Sequence, residues 1–525
     1  MDLQNNDKES VNLWTTLDEN HLEQKQDENK TSSEERTAVP PDPQNDDVHS
    51  IRDTFCLALN ILGCFFYMMN YYIVHSSSVQ FVNSLGLSDA MSGLIIGAMP
   101  WAAMFSSFVF SFWSNTCYRA PLLTSGAFLT AGNVLYASAY RSQSFGMALM
   151  GRFLTGLGGP KSLNRRYIAD TTPLAKRTVV NAFFGVATAM GSALGPAIAI
   201  ALDEADFQFE LPIYGNVILN GMTGPGYVMG ILWLLYTIIL AISFAEPDRV
   251  GLDEQRAKEL AQLKSNDCAD DDIENLANFA SDSSNLETNY YNENINDEVQ
   301  ITEHEKCLGK MHHVRADITP AVQICMFLLF SKMFTVESVI SAAPMITKNR
   351  YGWSVQKIGA LGTIVGCVTI PISMFIGYIS RYREDRLIML GLMTIAAFGM
   401  GFLIDVTDFI GSPTDTYNED KVLAVGPWRY TLGYSLVVCS VQAFDGVAGS
   451  VLSKVIPTSL ASGTLNSGLL ATTVGTFGRA CGDAFITIVG LVDLRHVLNM
   501  LFVPSFLILA LDLALIWWNY GILYA

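Results

Sequence analysis

The chain has 525 residues, half of them hydrophobic, and only 16% are charged against about 25% in a soluble globular domain. Its net charge of −18 resides mostly in residues 1–50 and in the stretch from Glu246 to Asp317, so it describes tails and loops and not a binding surface. There is no basic stripe, so nucleic acid is not an expected partner, and the nine cysteines lack metal-site or disulfide spacing and read as small buried hydrophobes.

Residues 1–50 contain no apolar run, so no cleavable signal peptide is expected and targeting falls to the first membrane helix. This acidic tail is read as disordered and cytosolic, where the Asn29-Lys-Thr sequon would go unused. A spanning helix needs about 20 mostly apolar residues. By that measure the first half holds spans near 53–75, 90–113, 120–140, 144–168, 178–202 and 224–245. An acidic stretch follows, with no Lys or Arg from Ser265 to Glu305, and it too is expected to be disordered. The second half holds spans near 318–346, 356–380, 387–406, 429–453, 464–491 and 496–522.

The expectation is an all-α polytopic membrane protein with about twelve transmembrane helices. They would form two six-helix bundles, residues 51–246 and 317–525, joined by the loop 247–316. Six spans on each side of a long central loop is the plan in which two bundles alternate access around a midplane site. A loose internal repeat supports it. Short polar links bearing Arg, Ser111 to Arg119 and Gly377 to Arg386, follow the second and the eighth span. With both termini cytosolic, the inner links collect Arg119, Lys161, Arg165, Arg166, Lys176, Arg177, Arg381, Arg383, Arg386 and Lys454. The opposite links still hold Arg141, Lys348, Arg350, Lys357, Lys421, Arg429 and Arg495, so the bias is modest. The acidic link with Asp203, Glu204, Asp206 and Glu210 then falls on the opposite side.

Ionisable residues inside a bilayer are costly, so each is a functional candidate. The fourth span carries Arg152 near its middle, then Lys161, Arg165 and Arg166. The seventh carries Lys332 and Glu337, the tenth Asp445, and the eleventh Arg479 and Asp483 one turn apart. Three cations at comparable depth, Arg152, Lys332 and Arg479, come from both halves. Facing one cavity they would attract an anion, and Arg geometry suits an oxyanion such as phosphate. The competing reading pairs Arg479 with Asp483 and satisfies Arg152 and Lys332 with carboxylates or helix ends. Arg165 and Arg166 read as interfacial anchors or gate residues. Tyr67 and Asn70 in the first span can donate hydrogen bonds to an oxyanion, while Tyr71 and Tyr72 fit an aromatic belt equally well. In the fifth span Gly191-Ser-Ala-Leu-Gly195-Pro196 reads as tight packing with a kink, or as a hinge. No nucleophile–base pair, metal cluster or phosphate loop emerges. An enzyme is not expected, and neither is a cofactor.

Several stretches together resemble a known family. They are Phe110-Ser-Phe-Trp-Ser-Asn115, Gly132-Asn-Val-Leu-Tyr-Ala137, Gly151-Arg-Phe-Leu-Thr-Gly-Leu-Gly158 and Asn164-Arg-Arg-Tyr-Ile-Ala-Asp170 in the first half. In the second stand Glu384-Asp-Arg386, Gly463-Thr-Leu-Asn466 and Gly475-Thr-Phe-Gly-Arg-Ala-Cys-Gly-Asp483. Through nearly the whole membrane region the chain is similar to the transporter part of the SPX-containing vacuolar phosphate transporters of plants and algae, within the major facilitator superfamily. The resemblance implies inorganic phosphate moved across a vacuole-type membrane. By position, Tyr67, Asn70, Arg152, Lys161, Lys332, Arg479 and Asp483 match polar residues of that family. Lys161 stands where the plant members carry Arg, and Asp445 where they carry Glu. Plant members begin with an SPX domain that senses inositol polyphosphates. This chain has an acidic tail there, so regulation by that route is expected to be absent or supplied by another protein.

The sequence thus predicts a secondary transporter for an inorganic anion in a lipid bilayer. Arg152, Lys161, Lys332 and Arg479 would supply charge, and Tyr67 and Asn70 hydrogen bonds. Asp483 would orient Arg479, with Glu337 and Asp445 as candidates for proton coupling. Two alternatives stay open: an antiporter for chloride or an organic solute in a lysosome-like membrane, and a membrane solute sensor or scaffold that transports nothing.

Overall fold

A computed structural model describes residues 43–205, 207–211, 215–254, 257, 319–380, 382–407, 424–455, 467–492 and 496–523. The expected N-terminal tail before residue 43, most of the central acidic loop and the Gly463–Asn466 motif lie outside these. The described chain is almost wholly helical. In the first half run α1 Pro43–Tyr72, α2 Ser78–Ser84, α3 Met91–Trp113, α4 Arg119–Arg141, α5 Phe145–Leu157, α6 Lys161–Thr171, α7 Leu174–Glu204 and α8 Gly224–Ser243. In the second run α9 Pro320–Ile340, α10 Ala343–Tyr351, α11 Val355–Ile379, α12 Asp385–Leu403, α13 Pro427–Val455, α14 Ser467–Val492 and α15 Val497–Trp518.

Ten stretches among the described residues are long and apolar enough to cross a membrane. The two remaining spans of the twelve expected are α4, diluted by Thr124, Ser125, Thr130, Asn133 and Ser138, and the broken pair α5–α6. The break has a local cause. Pro160 has no N–H to continue a helix, and Gly158 and Gly159 turn the chain back onto the Leu154 and Gly156 carbonyls. Ser125 Oγ donates to the Gly158 carbonyl at 2.5 Å and fixes the break against α4. Caps set other ends: Ser144 Oγ accepts from the Met147 N–H at the start of α5, and Thr319 Oγ1 from the Val322 N–H at the start of α9. Gly352, at φ 62°, closes α10 in the left-handed region that favours glycine.

Three local features differ from the sequence reading. Helix α1 begins at Pro43, inside the stretch expected to be a tail. Residues 250–254 are helical where a disordered loop was expected, and they are tied down: Arg249 donates to the Ser114 carbonyl at 2.8 Å, and Arg177 to the Gly251 carbonyl at 3.2 Å. The acidic link after α7 forms an antiparallel hairpin, β1 Phe207–Leu211 with β2 Gly215–Leu219, in which Phe209 faces Val217.

Among the described residues, helices of the two halves meet most extensively along two seams, α7 on α11 and α3 on α14, with α6 also touching α14. Small residues permit the first. A Cβ on Gly366 of α11 would lie 2.8 Å from the Ala193 Cα of α7, and Pro196 packs against Gly362. Helix α7 runs on through Pro196, and its Gly191 and Gly195 face the α1 backbone at Phe65 and Met69. The Gly-x-x-x-Gly-Pro element therefore packs on two neighbours at once: glycines on α1, proline on α11.

Candidate functional site

The polar residues of the interior fall into three groups. The first lies where α1 faces α5. Arg152 is 1% exposed, and its Nη1 donates to the Asn70 carbonyl at 3.5 Å. Its Nε and Nη2 have no hydrogen-bond partner among the described residues, nor do the side-chain amide atoms of Asn70 or the Tyr136 hydroxyl. The Tyr136 ring lies 6.0 Å from the guanidinium. Tyr67, buried one turn before Tyr71 on α1, lies in the fields of both Arg152 and Arg479. A buried cation with two unsatisfied N–H directions, beside an unsatisfied amide, is a costly arrangement unless a ligand completes it.

The second group joins α1, α9 and α14. Tyr71 Oη donates to Glu337 Oε1 at 2.5 Å and lies 3.5 Å from Asp483 Oδ2. Arg479 Nε reaches Glu337 Oε2 at 3.5 Å, with its guanidinium 4.9 Å from the Tyr71 ring and 5.8 Å from that of Tyr72. Ser341 Oγ donates to Glu337 Oε1 at 2.9 Å and faces His75 Nε2 at 3.2 Å. Glu337 and Asp483 are fully buried. The pairing expected between Arg479 and Asp483 is corrected here. Arg479 turns to Glu337, because α9 brings that carboxylate to the guanidinium while Asp483 is drawn to Tyr71.

The third group lies between α6, α9, α13 and α14. Lys332 pairs with Asp445, which Arg165 also approaches at 4.0 Å. Arg165 Nη1 donates to Thr472 Oγ1 at 3.0 Å, so this residue links the two halves. Lys161 heads α6 and lies in the fields of Arg165, Arg479 and Asp445. Its Nζ makes no hydrogen bond or ion pair among the described residues. Arg166 points elsewhere, to the Ser111 carbonyl, Asn115 and Asp170, and so belongs to the α3–α4 link.

Thus Glu337, Arg479 and Asp483 come together with Tyr71, and Lys332 with Asp445 and Arg165. Arg152 and Asn70 stand together with unmet polar atoms. Sequence reasoning missed His75, the last residue of the first expected span, which lies just past the end of α1 at Tyr72. It also missed Asp512, fully buried in α15 with both carboxylate oxygens 2.8 Å from Ser331 Oγ. A carboxylate inside the last apolar span was the available signal.

The helical membrane fold, with charged pairs buried between its halves, is that of a transporter, and the family match agrees. The chain belongs to the major facilitator superfamily, whose description matches residues 60–490. It is 32% identical over 497 residues to an SPX domain-containing membrane protein of Arabidopsis thaliana, covering 94% of this chain and 67% of that protein. It is also 32% identical over 474 residues to one from Oryza sativa subsp. japonica, covering 89% of this chain and 64% of that one. The chain thus spans about two thirds of the length of these relatives. A D-xylose–proton symporter structure, 14% identical, superposes over 88% of this chain and 97% of its own with a TM-score of 0.60. A bacterial homologue of the human lysosomal transporter Spinster, inward-facing and unoccupied, is 12% identical over 89% and 96% with a TM-score of 0.57. At such identities the likeness shows the fold alone.

Proposed function

We propose that the chain moves an inorganic anion, phosphate favoured, across a vacuole-type membrane by alternating access, with both termini cytosolic. The observation that carries this reading is Arg152, buried with Nε and Nη2 unmet beside the unmet side chain of Asn70. Charge balance supports it. Arg152, Lys161, Arg165, Lys332 and Arg479 face three carboxylates, Glu337, Asp445 and Asp483, an excess of positive charge that an oxyanion would neutralise. Arg152 would bind the anion through its free N–H edge, with Asn70 and Tyr67 as hydrogen-bond donors. Lys161 and Lys332 would add charge from the other side, and Arg479 would hold the far edge. The family resemblance favours phosphate over other oxyanions.

Lys332 is occupied by Asp445, so an arriving anion would compete with that carboxylate. Asp445, losing its partner, would become the better proton acceptor, which is how anion binding and proton uptake would be linked. Glu337 is the second carboxylate assigned to coupling. The test is labelled phosphate uptake by the reconstituted protein, with and without a pH gradient or a membrane potential. Saturable uptake that the gradient drives supports the reading. Flux of chloride or an organic solute without phosphate overturns the substrate, and retained binding without flux of any solute favours a sensor.

A further inference from the structure

We propose that His75 is the group through which the Glu337–Asp483 pair exchanges a proton with the cavity beside it; this deepens the proton-coupling part of the reading above. His75 sits in the turn after α1 and is one of the residues lining a cavity bounded by Tyr72, Ser192, Pro196, Ile340, Gly366 and Gln442. The cavity has room for water of about 50 Å³, and one water needs about 10–15 Å³. Several waters fit, with Ser192 and Gln442 among the polar groups at its wall.

Hydrogen-bond accounting places a mobile proton on this residue. His75 Nδ1 lies 2.9 Å from the Tyr71 carbonyl, which can only accept, so Nδ1 carries a hydrogen. Nε2 faces Ser341 Oγ at 3.2 Å and Glu337 Oε1 at 3.5 Å, and Ser341 has one hydrogen to give. If it goes to Glu337 Oε1, 2.9 Å away, Nε2 must carry a proton to meet Ser341, and His75 is an imidazolium beside a carboxylate. If it goes to Nε2, Glu337 must carry the proton and donate it to Ser341 Oγ. The two arrangements hold the same number of protons and differ only in where one of them sits.

The transfer runs through groups in contact. A hydronium ion in the cavity gives a proton to Nε2 and is left as water. Nε2–H then passes a proton to Ser341 Oγ while the hydrogen of Ser341 moves to Glu337 Oε1, leaving His75 neutral with Nδ1–H still on Tyr71. Tyr71 Oη, 2.5 Å from Glu337 and 3.5 Å from Asp483, extends the path to the second carboxylate. The groups facing the ring are Tyr71 and Tyr72 of α1 and Glu337 of α9, with Arg152 of α5 further off; Arg479 and Asp483 of α14 bear on it through Glu337 and Tyr71. Burial lowers the pKa of the imidazole, and the hydrogen bond and charge of Glu337 oppose that.

The experiment compares wild type, His75→Gln and Ser341→Ala in liposomes. Labelled phosphate is followed in exchange at equal pH and in accumulation driven by a pH gradient. The ratio of driven accumulation to exchange is expected to fall at least about tenfold in both variants. A ratio unchanged in both overturns the proposal. The second readout needs no substrate: pH-titrated infrared difference spectra of the protein in detergent. The carboxylic-acid band removed by Glu337→Gln is expected to shift its midpoint by about one pH unit or more in His75→Gln. An unmoved midpoint, or no such band, overturns the role of His75. Should His75→Gln fail to fold, Ser341→Ala decides by both readouts. Wild type that moves no phosphate would remove the anion reading, and the infrared result would still decide this one.

Discussion

The Lys332–Asp445 pair should respond asymmetrically to the loss of either partner. The Lys332 side chain is 1% exposed and that of Asp445 31%. Replacing Lys332 with Met leaves a carboxylate that is less enclosed than the ammonium and that Arg165 still approaches at 4.0 Å. Its cost should resemble that of an exposed pair, about 1 kcal/mol. Replacing Asp445 with Asn strands a buried ammonium, and breaking a buried pair from that side costs about 3–5 kcal/mol. Asp445→Asn should therefore destabilise the protein by about 2–4 kcal/mol more than Lys332→Met. The double variant Lys332→Met/Asp445→Leu should cost less than Asp445→Asn alone, since the buried ammonium is removed together with its partner. Equilibrium unfolding by SDS in mixed micelles at neutral pH measures all three. Lys332→Met at least as destabilising as Asp445→Asn would refute the reasoning, because unpaired burial would then not set the cost.

On the proposed reading, Arg152→Met should lower labelled phosphate uptake by about 100-fold or more, yet leave apparent thermal stability equal or higher, because it deletes a buried cation whose Nε and Nη2 are unmet; lost stability would mean the guanidinium is structural. Gly366→Val should destabilise by about 1–3 kcal/mol, since its Cβ would lie 2.8 Å from the Ala193 Cα, whereas Gly377→Val, with nothing within 4 Å, should be near neutral in the same melt. Asp405, which pairs with Arg350 at the end of α12, is opposed by burial, but the Thr407 hydrogen bond and the Arg350 charge outweigh this and hold its carboxyl below the usual range. A depressed carboxylate stabilises above its unfolded value and loses that contribution as pH falls through the folded one. The wild-type advantage over Asp405→Asn should therefore persist at about pH 5 and fade below about pH 4, in paired melts across that range.

Most helices were legible because a spanning helix leaves a mark of about 20 apolar residues. Their ends were less so. The polar start of α1 at Pro43 carries no apolar signal, and the hairpin strands are only five residues each. Gly158-Gly159-Pro160 was visible, but whether it kinks or breaks the fourth span depends on packing against α4. In the site, depth could be read from position in a span, while rotation and tertiary neighbours could not. Asp483, four residues from Arg479, looked like its partner, yet Glu337 on α9 holds that place. Asp445 is 113 residues from Lys332, a pairing no local rule reaches. His75 sits three residues beyond the helix that ends at Tyr72, where a polar residue signals only an interface.

The interruption between α5 and α6 also fixes a length. One residue inserted or deleted after Lys161 would turn the rest of α6 by about 100°. Arg165 would swing away from Thr472, and Arg166 from Ser111 and Asp170, while Arg152 upstream kept its place. A change of one residue in the Gly158–Pro160 connection itself could be absorbed by its backbone, since the helix does not propagate phase across it. Insertion scanning should therefore find a tolerant point flanked by intolerant ones, with transport failing on the α6 side before the fold does.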